Sequence, residues 1–145
     1  MTRVDFYLTQ SNQRKHVLNT ACRLAEKASR QGHHIFIHTD DAGQAQQIDE
    51  LLWTFRQGSF VPHALIEDGE TPSTHDNILI GHDHDPEFKH DVLINLASSI
   101  PDFFPRFERV AEIVSGDESQ RNEARQRFKF YRDRGYELNT HDIKN

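Results

Sequence analysis

Short apolar runs, alternating with segments of helical period, constrain this chain more than any other feature it has. Val4-Asp5-Phe6-Tyr7-Leu8 is rich in β-branched and aromatic residues and predicts a strand. Thr9 and Ser11 then offer caps for a helix over 12–30, where Val17, Leu18, Ala21, Leu24, Ala25 and Ala28 recur at three- and four-residue steps. Gly32 is placed to end it. His33–His38 predicts a second strand, and Thr39-Asp40-Asp41 opens a helix that runs through Ala45, Ile48, Leu51 and Leu52 to about Phe55. A strand–helix–strand–helix opening favours a parallel sheet with helical crossovers.

The rest of the chain continues less regularly. Residues 56–76 are too rich in Gly, Pro and Ser for a regular element, although Phe60-Val61-Pro62 and Ala64-Leu65-Ile66 can each lie extended. Asn77–Gly81, Val92–Leu96 and Val110–Val114 predict three further strands, separated by a polar loop at 82–91 and a short helix across Phe103–Arg109. Gly116-Asp117-Glu118-Ser119 starts a last helix to about Arg134, ended by Gly135, and 136–145 reads as a short polar tail. No linker divides the 145 residues. The expected architecture is α/β, a single domain over 1–145 with a mostly parallel sheet flanked by helices, Rossmann-like in topology but without a nucleotide-binding loop.

That last qualification comes from the loops. Phosphate binding at a strand carboxyl end needs close backbone approach and hence glycine. The segment after the first strand, Thr9-Gln10-Ser11-Asn12-Gln13-Arg14, has none. G-x-G-x-x-G, the P-loop and the G-x-S-x-G elbow are all absent from the sequence. The single cysteine, Cys22, excludes an internal disulfide framework and a four-cysteine zinc module, and its place on the apolar side of the first helix predicts an inert buried thiol. Ten histidines are many for this length, and His82-Asp83-His84-Asp85 can be drawn as a metal site for a hydrolase. A polar solvated loop is the simpler reading, so no metal, cofactor or catalytic residue is expected. The sequence has no apolar run of membrane-spanning or signal-peptide length, which predicts an acidic protein of the reducing cytoplasm.

Two patches call for partners. Trp53, the only tryptophan, sits at the end of the second predicted helix, just before Phe60-Val61-Pro62; it belongs either to a small satellite core or to an exposed aromatic hot spot. In 121–134 six cations oppose two acids, a net +4 on a chain whose total is −6. Arg121, Arg125, Phe128, Lys129 and Arg132 share one helical face, bordered by a stripe of Ala124, Phe128 and Tyr131. Such a face attracts an anionic partner, either nucleic acid or an acidic peptide. Direct nucleic-acid binding by this helix is disfavoured, because the remaining residues sum to −10.

Along nearly its whole length the chain resembles the chi subunit family of bacterial DNA polymerase III. The resemblance is carried by Phe6-Tyr7-Leu8, by Asp49-Glu50-Leu51-Leu52-Trp53 with Ser59-Phe60-Val61-Pro62-His63, and by Arg125-Gln126-Arg127-Phe128-Lys129-Phe130-Tyr131-Arg132 with the ending Gly135–Thr140. It implies a non-catalytic, replisome-associated adaptor of the clamp loader, with polymerase activity belonging to the complex and DNA contacted only indirectly. Trp53, Phe60, Val61 and Pro62 match the face that pairs with the psi subunit. Arg125 matches the residue that meets the terminal carboxylate of the single-stranded DNA-binding protein tail, which ends in Pro-Phe. By the same resemblance Arg121, Lys129 and Arg132 attract the tail's aspartates, while Val114, Phe128 and Thr140 line the pocket for its last side chain.

Overall fold

A strand apolar on both faces is stable only when both are covered, and parallel strands joined by helices meet that need. In the computed structural model, residues 2–54, 63–65, 77–82 and 91–143 are described. The order is β1 (Arg3–Thr9), α1 (Arg14–Arg30), β2 (Ile35–Thr39), α2 (Ala42–Thr54), β3 (His63–Leu65), β4 (Ile78–His82) and β5 (Val92–Asn95). A single 3₁₀ turn (Phe104–Arg106) follows, then β6 (Arg109–Val114), α3 (Glu118–Asp133) and β7 (Glu137–Ile143). Seven strands form one all-parallel sheet in the order β3-β4-β2-β5-β6-β1-β7.

Each face of the sheet has its own core. Under α1 and α2, Ile35, Ile37, Ile78, Ile80, Ile94 and Ile113 pack against Val17, Ala21, Ala25, Ile48 and Leu52. On the other face Val4, Phe6, Phe36, Leu93 and Val110 meet Phe104, Phe107, Ala124 and Tyr131. Cys22 lies in the first core, where burial pushes its thiol up to about 12.

The α/β reading and the helix ends match expectation. Gly32 and Gly135 have φ of 88° and 81°, the left-handed conformation that glycine adopts without a Cβ penalty. Three details differ. The segment read as a short polar tail holds β7, paired in register with β1 from Arg3↔Glu137 to Thr9↔Ile143. As an edge strand exposed along most of its length, it needs no apolar alternation and so leaves little trace in the sequence. The helix expected across Phe103–Arg109 is only a single 3₁₀ turn with Pro105 at its start, because Arg109 is already paired with Arg3 in the sheet. Thr9 does not cap α1: its hydroxyl donates to the Val114 carbonyl (2.8 Å).

Candidate functional site

Helix α3 begins at Asp117, whose carboxylate accepts from the Gln120 N–H (3.1 Å) and satisfies an otherwise unpaired donor of the first turn. From there Arg121, Ala124, Arg125 and Phe128 follow at spacings of three, one and three residues, the pattern of a single helix face. This face does not lie flat on the sheet. Together with Phe6 and Leu8 of β1, Val114 of β6 and Thr140 of β7 it encloses a pocket of about 150 Å³. Strand register explains the floor, since Leu8 pairs with Val114 and Phe6 with Thr140.

Phe128 closes the pocket edge-to-face against Phe6, with ring centroids 5.3 Å apart. Arg121 is tied to the rim, donating from Nη2 to the Thr9 carbonyl (3.0 Å). Arg125 is exposed, and its Nη1 donates to Asn122 Oδ1. The result is an apolar cup rimmed by two guanidinium groups, suited to an apolar side chain carried next to a carboxylate.

Five of the seven residues expected here come together: Val114, Arg121, Arg125, Phe128 and Thr140. Lys129 and Arg132 are exposed on the same helix but do not line the cup, and Arg132 pairs with Asp133 (3.5 Å). Ala124 of the apolar stripe, with Phe6 and Leu8, which the sequence does not assign to the pocket, completes the walls. The alternation of Phe6 and Leu8 on β1 is visible in the sequence, but that they face α3 depends on the sheet order.

Two other cations of the segment are engaged elsewhere. Arg127 donates from Nε to the fully buried Glu112 (3.0 Å), and Arg134 stacks on Phe130 with its guanidinium carbon 3.6 Å from the ring centre. Tyr131 Oη also donates to Glu112 (2.8 Å), and burial beside that carboxylate raises the phenol well above its ordinary value.

At the other patch Leu52 is buried and Trp53, 48% exposed, lies against His63 with ring centroids 4.4 Å apart. His63 is positioned by the Asp49 carbonyl (3.0 Å). Trp53 is therefore outside both cores; Phe60, Val61 and Pro62 lie outside the described residues. His82 ends β4, and His84 and Asp85 of the drawn metal set also fall outside them. The crevice at the strand carboxyl ends, where doubly wound folds place nucleotides, is lined by Asp40, Asp117, Glu123, Arg14 and Arg127 among others, with no glycine among its described residues.

Fold and site together define a Rossmann-like α/β domain whose apolar cup lies beneath a basic helix rather than over the strand ends. The family model described as "DNA polymerase III chi subunit, HolC" matches residues 1–139, and the chain belongs to this family. It is 44% identical over 144 residues to the DNA polymerase III subunit chi of Pseudomonas aeruginosa, covering 99% of this chain and 98% of that protein. It is 33% identical to the subunit chi of Haemophilus influenzae (96% of each chain) and 34% identical to that of Escherichia coli (82% of this chain, 80% of the other). In fold it is similar to the solved structure of T4 UvsW, with a TM-score of 0.67 at 8% identity, covering 99% of this chain and 42% of that one.

Proposed function

We propose that this chain is a non-catalytic adaptor of the replicative clamp loader, working in the cytoplasm during DNA replication. Its α3 cup captures the acidic, Pro-Phe-terminated tail of single-stranded DNA-binding protein, and its Trp53 side pairs with a psi-like subunit. The observation that carries the reading is the convergence of Val114, Arg121, Arg125, Phe128 and Thr140 on one cup of about 150 Å³. In this reading the cup takes the terminal ring, Arg125 receives the carboxylate, and Arg121 holds the rim. Lys129 and Arg132, exposed beyond the cup, act on the tail's aspartates at longer range.

Calorimetry with a synthetic tail peptide tests it. Arg125→Ala should weaken binding by about 2–4 kcal/mol, much of it from leaving the carboxylate unpaired. Deleting the terminal Phe should abolish the remainder; equal affinity with and without that residue would sink the reading. For the second face, Trp53→Ala should cost about 2 kcal/mol in pairing with a psi-like subunit while barely moving the thermal melt, because Trp53 packs in neither core.

A further inference from the structure

The −10 outside 121–134 conceals a second basic helix. Five cations of α1 oppose one acid, and that acid, Glu26, is buried and paired with Arg30 (3.5 Å). Outside α1 and residues 121–134 the chain carries 6 cations and 20 acids, so its positive charge is gathered on two surfaces. Lys15, Arg23, Lys27 and Arg30 are all exposed and fall within an arc of about 120° on the outer side of α1. Along the axis Arg23 and Lys27 are about 6 Å apart, with Lys15 about 12 Å before Arg23 and Arg30 about 4.5 Å beyond Lys27.

α1 packs over β2, β5 and β6, and on its flank Tyr7 of β1 stacks with His141 of β7, ring centroids 4.8 Å apart and planes 17° from parallel. His141 remains 45% exposed. Lys27, Tyr7 and Arg109 border a pocket of about 210 Å³ between helix and strands. Asp5, the one acid lining it among the described residues, is 5% exposed and already engages Arg3, Arg109 and His141, so it does not neutralise the helix.

We propose that this face binds single-stranded nucleic acid, with Lys15, Arg23, Lys27 and Arg30 tracking backbone phosphates and the Tyr7–His141 pair stacking a base. Cations gathered on one helix face, with Lys27 sharing a pocket with Tyr7 of the ring stack, are the two components such a surface needs. An acidic protein segment would use the cations alone. The surface lies on the face of the sheet opposite α3, so it is independent of the tail cup.

The test is fluorescence anisotropy of the full chain with a labelled oligothymidylate, starting at low salt because the total charge of −6 opposes binding. Saturable binding should weaken with salt at a log–log slope of about −2 to −3, as expected for three or four phosphate contacts on a single strand. Arg23→Glu combined with Lys27→Glu should weaken it about tenfold or more while leaving capture of the Phe-terminated tail peptide unchanged, which separates this surface from the cup. The milder Arg23→Gln/Lys27→Gln pair should give an intermediate loss. An abasic strand of the same length should bind several-fold more weakly. No saturable binding at low salt, equal binding by the charge-reversed variant, or equal binding of the abasic strand overturns the proposal. So does displacement of the strand by polyglutamate at matched charge, which would assign the face to an acidic protein segment.

Discussion

Glu112 is fully buried, and Arg127 Nε, Tyr131 Oη and Asn95 Nδ2 all donate to its side-chain oxygens within 3.0 Å. Asn95 Oδ1 in turn accepts from His38 Nδ1 (3.1 Å). A buried carboxylate is tolerable only while such donors remain, so removing one exposes the whole desolvation cost. Arg127→Ala should destabilise the fold by about 3–5 kcal/mol in urea unfolding. Arg132→Ala, whose exposed side chain pairs with the likewise exposed Asp133, should stay within about 0.5 kcal/mol. The same packing sets behaviour in base. The Cys22 thiol is raised from 9.0 to about 12 and Tyr131 lies above its ordinary 10.0. In both cases the unfolded chain loses its proton first, so stability is complete below about pH 9 and falls as pH rises further. Thermal melts should be flat through neutrality and decline above about pH 9, and Cys22→Ala should delay the onset towards pH 10.

At the scale of elements, α3 is fixed in rotation by Arg127 and Tyr131, and this leaves the next face, Arg121 to Phe128, free to form the cup. Its entry is fixed by the β6–α3 turn. Gly116 donates its N–H to the Ser11 carbonyl (2.8 Å), and a Cβ there would stand 2.4 Å from the Gln10 carbonyl oxygen. Because that neighbour is backbone, the 9–11 segment must move, and with it the Thr9 carbonyl that holds Arg121. Gly116→Ala should cost about 1–3 kcal/mol and weaken tail-peptide capture as well. Gly135→Ala meets no steric neighbour but must adopt φ near 81°, so about 1–2 kcal/mol should be lost with capture intact. Comparing calorimetric affinity with chemical denaturation for the two variants separates the effects. The helices and central strands were legible because burial imposes periods of 3.6 and 2. β7 was not, because backbone pairing with β1 holds an edge strand that few apolar side chains mark.

For the whole molecule, one sheet joins the first and last described strands: β1 lies between β6 and β7, so among the described residues it pairs with the last two strands. A chain closed in this way should unfold as one unit. Far-ultraviolet circular dichroism and tyrosine fluorescence are expected to give coincident urea transitions, and a separate early loss of β7 would contradict a single cooperative domain over 1–145. The sequence by itself determined the alternation of strands and helices, the absence of a glycine phosphate loop, the inert Cys22 and the basic run at 121–134, since each depends on composition and local period. Only the tertiary structure decided how the charge is used. It took Arg127 into the interior to meet Glu112, set Phe6, Leu8, Val114 and Thr140 beneath Arg125, and put Lys27 of α1 on one pocket with Tyr7, which stacks on His141. Those neighbours come from three or more strands that are distant in the chain, and their order in the sheet is a property of long-range packing that no local pattern encodes.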